Sequence, residues 1–385
     1  MRKDWEYKKL GEVANVVMGQ SPDGSNVNNE NGMEFHQGKI NFGEQFLMKS
    51  DCFTTQVTKV AEKGSILLCV RAPIGIINIT DRDICIGRGL CAIKEKTEVD
   101  NLFLYYYLLN KKLYFEKNST GSTFKAISSK VVLNTPIFLP PKPTQLAIVA
   151  ELDKLNEMIR LKKQQLEDYD QLAQSIFYEM FGDPVENEKG WEMMKLGEIC
   201  SKIGSGATPK GGNNSYIDFG ISLIRSLNIH NNIFKYEDLA HIDETQAKAL
   251  SNVIINKDDI LLNITGASVA RCCIVPDNVL PARVNQHVCI IRPIKENGNS
   301  FYLNRLLTSL SYQTKLMKLA KSKAATREAL PKSIVVSLMV PLPPLPLQQQ
   351  FAARIEAIEQ QKQQVKDTIK DLETLLASRM QYWFD

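Results

Sequence analysis

Residues 5–14 read WEYKKLGEVA, and residues 191–200 read WEMMKLGEIC. One Trp-Glu-x-x-Lys-Leu-Gly-Glu block therefore begins at Trp5 and returns at Trp191. Working outward, each block is followed by a loop of small residues, MGQSPDGS at 18–25 and GSGATPKGG at 204–212. FHQGKINF from Phe35 is answered by IRSLNIHNN from Ile224. SILLCVRAPIGI from Ser65 is answered by DILLNITGASVARCCI from Asp259. GLCAI (Gly89–Ile93) matches HVCII (His287–Ile291), and NLFLYYYLLN matches NSFYLNRLLTS at the same offset. PIFLPPKPTQLAIVAEL matches VPLPPLPLQQQFAARI, which sets Pro140 against Pro343 and Gln145 against Gln348. These blocks recur in one order, and the second copy gains about 17 residues inside its globular part. The period is too long for a solenoid, so a whole domain-plus-helix unit is duplicated.

Each globular part reads as mixed and mostly β, with short β-branched runs broken by Gly, Asn, Asp and Pro. Short helices are expected around Phe103 to Lys112 and Phe301 to Leu319. Trp5 and Trp191 read as residues that close each domain.

After Pro136, Pro140, Pro141 and Pro143 the pattern changes. Thr144 is a suitable N-cap, and no Gly or Pro occurs from there to Phe181. Ile148, Leu152, Leu155, Ile159, Lys162, Leu166, Tyr169, Ala173, Ile176 and Met180 alternate in steps of four and three. Phe351, Ile355, Ile358, Lys362, Val365, Ile369, Leu372, Leu376, Arg379 and Trp383 do the same in the second copy. These are coiled-coil seams with a Lys in the middle of each, and Gly182, Asp183 and Pro184 end the first. The pairing residues are Leu152, Leu155, Ile159 and Leu166 with Ile355, Ile358, Val365, Ile369 and Leu372. The expected fold is α+β: two mostly β domains at 1–143 and 184–345, with long helices at 144–183 and 346–385. If the helices pair antiparallel, they form a pseudo-two-fold ruler between the domains.

The chain of 385 residues has 47 Lys+Arg against 43 Asp+Glu, a net charge of +4. That balance permits nucleic-acid binding without arguing for it, so a DNA surface must come from local clustering. The charged start MRKDWEYKKL lacks an apolar core of signal-peptide length, and no run of about 18 apolar residues suggests a membrane span. Eight cysteines without a CxxC pair fit a reduced, cytoplasmic protein, and four scattered histidines give no metal-binding frame. There is no GxxxxGK[ST] loop, no GxSxG elbow and no nuclease-like Pro-Asp followed by acidic-x-Lys. NTPI at Asn134 lacks the second proline and aromatic of an amino-methyltransferase loop. No catalytic or metal-ligating residue is expected, and the chain reads as a binding and scaffolding protein.

The repeated W-x-x-x-x-L-G-E start, the Ser-Pro or Thr-Pro loop, the GSTFKAI segment and the P-L-P-P-L-x-x-Q entry to a long helix resemble the specificity subunit of type I restriction-modification systems. The resemblance covers essentially the whole chain. It departs at PPKPTQLAIV, where the family commonly has Pro-Leu and then Glu-Gln. It implies two target-recognition domains reading an asymmetric, split site in double-stranded DNA, with the helices fixing the gap. It also implies two modification subunits that methylate adenine at N6, restriction (motor-nuclease) subunits, and a prokaryotic cytoplasm. S-adenosylmethionine, ATP and Mg would belong to those partners and none to this chain.

DNA contacts call for cations, forked amides and small hydroxyl residues. In the first copy these are Ser21, Gln37, Lys39, Arg71 and Arg88, then Ser119, Thr120, Gly121, Ser122, Thr123 and Lys125. In the second they are Thr208, Lys210, Arg225, Asn228, Thr265, Arg271, Arg283, Asn285 and Gln286, then Lys321, Lys323, Thr326 and Arg327. Two other readings compete. A fused restriction-modification enzyme would need catalytic motifs that are missing, and a coiled-coil adaptor would bind protein and not DNA.

Overall fold

The computed structural model describes residues 5–121, 125–209, 211–321 and 328–385. The chain forms two compact units, Met1–Lys163 with Asp367–Asp385, and Gln164–Lys366. Each therefore holds one globular part and a half of each long helix.

The central sheet of the first unit runs in the order Ala14–Met18, Leu90–Glu95, Ile66–Cys69, Ile77–Ile79, with every neighbour antiparallel. That of the second repeats it with Cys200–Ser205, Val288–Pro293, Ile260–Asn263 and Cys272–Ile274. All four residues of ILLC (66–69) and of ILLN (260–263) are buried. The reason is alternation across a pleat. Ile66 and Leu68 enter the core shared with the long helices, and Leu67 and Cys69 enter a second core. Ile260 and Leu262 are separated from Leu261 in the same way. A parallel pair completes the frame, Met33–His36 beside Ile84–Ile86 and Ile221–Ile224 beside Ala282–Val284. Extra residues of the second copy build the helix Glu244–Ala249, in a stretch where the first copy has short strands and a 3-10 turn.

The Trp-Glu block closes each unit. Glu6–Lys9 pairs with Pro136–Leu139, and Met193–Lys195 with Met339–Pro341. Trp5 packs edge-on to Phe103, and the Trp191 indole donates to the Phe181 carbonyl at 2.9 Å. The eight cysteines are free, and burial pushes the Cys91 and Cys273 thiols up to about 12.

The long helices are Lys142–Phe181 and Leu345–Phe384, each of 40 residues, or about 60 Å at 1.5 Å per residue. The first starts two residues before the expected N-cap Thr144. Pro143 and Pro346 lie in the first turns, where a helix needs no N–H. Gly182, at φ +73, ends the first helix. Within the first unit Glu151 binds Arg379 and the Trp383 indole, and Lys163 lies 3.5 Å from Glu373. Within the second, Lys362 donates to Asp170 at 2.8 Å, and Phe177 packs on Phe351. Residue numbers rise along one helix as they fall along the other, so the pairing is antiparallel in both units.

Of the seam, Leu152, Leu155, Ile159, Ile355, Ile358, Val365, Ile369 and Leu372 are buried, and Leu166 is half-buried. Near each C-terminus the buried line moves one residue on, from Ile176 and Met180 to Phe177 and Phe181, and from Arg379 and Trp383 to Met380 and Phe384. An α-helix turns every 3.6 residues, so a strict heptad drifts off its face. The aromatic cores around Tyr302 and Phe103 then capture the next residue.

The short helices are also corrected. Phe103 to Lys112 is Asn101–Leu109 followed by Lys112–Lys117, and Phe301 to Leu319 is Ser300–Thr308 followed by Leu310–Lys321. Ser309 is extended and interrupts the latter pair. The caps Asp100 and Asn299 each accept two backbone N–H groups. Their match moves the alignment by one residue from the expected offset. Gln145 and Gln348, both buried, tie these caps to the long helices. Gln145 accepts from Asp100 N at 2.7 Å and donates to Pro140 O at 2.9 Å; Gln348 accepts from Asn299 N at 2.9 Å and donates to Pro343 O at 2.7 Å.

Candidate nucleic-acid interface

In the first unit the strand ends converge on one edge. Val70 N donates to Gly89 O at 2.9 Å, Ile127 N to Val70 O at 3.0 Å, and Gly87 N to His36 O at 2.8 Å. Gly19 makes the convergence possible, because a Cβ there would stand 2.2 Å from the Gly87 carbonyl oxygen. Ser21, Gln37, Arg71, Arg88 and Thr120 lie along this edge. Ser21 Oγ accepts from Arg88 N at 3.3 Å. Gln37 follows His36, and its carbonyl abuts Gly89. Arg71 and Thr120 both bridge to Ala126, which follows Lys125. Gln37, Lys39, Arg71, Arg88, Thr120 and Lys125 are exposed.

A salt bridge anchors the strand Met33–His36 that leads to this edge. Glu34 binds the Arg82 guanidinium through both oxygens at 2.6 Å and accepts from Ser50 N at 2.7 Å. Burial pushes the Glu34 carboxyl up, but the bonds from Arg82, Ser50 and His36 outweigh it and hold the group at about 2.

The second unit builds the same turn. Ile264 N donates to His287 O at 2.9 Å and Leu330 N to Ile264 O at 2.8 Å. Thr265 bridges to Ala329, as Arg71 does to Ala126. Gly206 takes the place of Gly19, with a Cβ position 1.7 Å from the Val284 carbonyl oxygen. Here the side chains form a chain of hydrogen bonds. The Thr208 hydroxyl donates to Gln286 Oε1, and Gln286 Nε2 lies 3.1 Å from His287 Nε2. His287 Nδ1 lies 2.6 Å from Thr265 Oγ1. With Gln286 donating, His287 Nε2 accepts and Nδ1–H donates. The sequence reading passed over His287, whose only signal was its match to Gly89. Arg271 is half-buried near His230. Burial, then the Arg271 and Lys235 charges, lower the His230 pKa.

Three expected contacts are interior instead. Asn228 is fully buried, donates to Lys235 O and Glu237 O and accepts from Arg225 N, so its amide clamps a loop. Asn285 is buried and accepts from His287 N at 3.0 Å. Arg283 is buried and donates to Ala247 O and Ala282 O. Arg225 is half-buried, bonded to Asp238 O and 5.3 Å over the Tyr216 ring. Exposed Lys321 pairs with Glu328 at 3.5 Å. Ser122, Thr123, Lys210, Lys323, Thr326 and Arg327 lie outside the described residues. Among the described residues no three His, Cys, Asp or Glu side chains gather as a metal set, and no helix is long and apolar enough to cross a membrane.

The model of the type I restriction modification DNA specificity domain matches twice, over residues 2–168 and 188–374. The chain is 38% identical over 178 residues to the putative type I restriction enzyme MjaX specificity subunit of Methanocaldococcus jannaschii, a match spanning 45% of this chain and 42% of that one. It is 24% identical over 391 residues to the MjaIX specificity subunit of the same organism, covering 92% of this chain and 87% of the relative. The crystal structure of the type I restriction-modification S subunit from M. genitalium shares the fold, with a TM-score of 0.57 at 17% identity, covering 99% of this chain and 96% of that one.

Proposed function

The chain belongs to the type I restriction-modification DNA specificity family, and from that premise we propose that it is the target-reading subunit, each unit reading one half of a split DNA site. The observation that carries this reading is the edge built twice on one backbone plan with different exposed polar groups. A repeated reader with unequal side chains suits a site whose halves differ. Phosphate contacts from Lys39, Arg71 and Lys125 would hold register, while Gln37, Arg88, Thr208, Thr265 and Gln286 would face base edges.

The paired helices would set the gap between half-sites. Two modification subunits dock on the chain and methylate adenine at N6, and restriction subunits join to cut unmodified DNA in the prokaryotic cytoplasm. S-adenosylmethionine, ATP and Mg act in those subunits. The adaptor reading accounts for the helices but leaves the twice-built polar edge without a role.

The test is methylome sequencing of a methylation-free host that expresses the chain with its modification subunit. A split motif with N6-methyladenine on both strands and a fixed gap is expected. A folded complex that leaves no methylated motif would overturn the proposal.

A further inference from the structure

The two edges can be matched residue by residue. Gly89 O accepts from Val70 N, and His287 O accepts from Ile264 N, each at 2.9 Å. Two residues on, Cys91 pairs with Leu68 and Cys289 with Leu262. Arg88 therefore occupies the place that Gln286 occupies in the other unit, just before the matched carbonyl. Both are exposed.

Their chemistry is not the same. A guanidinium has only donors, in a planar fork, whereas a carboxamide offers two donors on one atom and two acceptor sites on the other. In the major groove guanine presents two acceptors, N7 and O6, and adenine presents the acceptor N7 beside the donor N6. We propose that Arg88 reads a guanine in the half-site of the first unit, and that Gln286 reads an adenine in the half-site of the second. This rests on the DNA-reading function proposed above and adds which base each unit selects.

The surroundings of each side chain fit that task. Thr208 uses one acceptor site of the Gln286 amide, and His287 uses one of its N–H groups. One lone pair and one N–H remain, the pair that adenine N6 and N7 require. Thr265 holds His287 in turn, so the amide is set before DNA arrives. The Ser21 hydroxyl accepts the Arg88 backbone N–H and fixes the turn, which leaves the guanidinium fork to the groove.

A phosphate contact by Arg88 makes a different prediction. Its loss would weaken all sequences alike and flatten the salt dependence.

The experiment exchanges the two groups, Arg88→Gln in one chain and Gln286→Arg in another, each expressed with its modification subunit for methylome sequencing. Arg88→Gln should move one position of one half-site from guanine toward adenine, by about tenfold in preference. Gln286→Arg should do the reverse in the other half. Should either variant fail to fold, the wild-type complex can be titrated with DNA carrying 7-deazaguanine at the first-half position or 7-deazaadenine at the second, each of which removes N7 alone. About tenfold weaker binding is expected. Three results would overturn the inference: a first half-site without a G·C pair, a motif that the exchanges leave unmoved, or uniform weakening of all sites. Absence of any split motif with wild-type chain would instead defeat the functional reading beneath it.

Discussion

The two units attach their short helix to the long helix with different chemistry at matched positions. In the first, the Tyr106 hydroxyl donates to Asp153 and accepts from Asn156 at 2.9 Å. In the second, Arg305 stands in the place of Tyr106 and lies 3.8 Å from Glu359, which stands in that of Asn156. Burial lowers the Arg305 pKa, and Glu359 and Asp170 oppose that shift. A phenol bonded to a carboxylate has thus been exchanged for an ion pair at the same junction. What does not vary is the backbone machinery: Gly19 and Gly206 at the crossing, Gln145 and Gln348 at the caps. Side chains on this frame are free to diverge, and at the exposed edge they have. Arg88, Arg71 and Lys125 in one unit correspond to Gln286, Thr265 and Glu328 in the other.

The comparison breaks most severely at the crossing. Gly206→Ala sets a methyl group against the Val284 carbonyl, and Gly19→Ala one against that of Gly87. Each should cost about 3 kcal/mol in denaturant unfolding, since packed backbone must shift. Gly24→Ala, with open space around its Cβ position, is the control. Near-equal stability of all three variants would refute the shared frame.

A smaller effect separates the units by pH. The first unit carries the partly buried pair of Glu34 and Arg82. Glu34→Gln should destabilise the chain by roughly 2 kcal/mol at neutral pH, because Arg82 loses its two-oxygen partner and keeps only the more exposed Asp81 as a counter-charge. The Glu34 carboxyl is depressed to about 2. Its contribution is therefore complete above the ordinary carboxylate range and fades as pH falls toward 2. The gap between wild type and variant should close over that window, as followed by unfolding at each pH. A gap independent of pH would show that the charge is not what stabilises.

The smallest effect lies in binding. Arg71→Ala and Lys125→Ala should each flatten the salt dependence of DNA affinity by about 0.9 in log–log slope, one phosphate contact apiece. Thr265→Ala should leave that slope unchanged. Equal slopes in all three titrations would remove the electrostatic difference between the edges.

Much of this frame was legible in the sequence because its signals are local or periodic. The heptads of Leu152 and Ile355, the duplicated Trp blocks and the buried ILLC and ILLN strands needed no knowledge of distant neighbours. The edge was legible only in part. Arg88, Arg71 and Gln286 could be chosen from residue type alone. The burial of Asn228, Asn285 and Arg283 could not, because it depends on loop carbonyls and neighbours brought near by folding, such as Lys235, Glu237 and Ala247. His287 was missed for the same reason. It joins this edge only when the strand end of Thr265 folds against it. The helix ends diverged from the heptad because tertiary aromatic cores, and not the coiled-coil seam, choose the last buried residues.

The most direct test of two independent readers on one frame is methylome sequencing with a chain altered in one unit only. Thr265→Ala with Gln286→Ala, expressed with the modification subunit, should relax one half of the methylated motif and leave the other half and the gap unchanged. Equal relaxation of both halves would contradict the account.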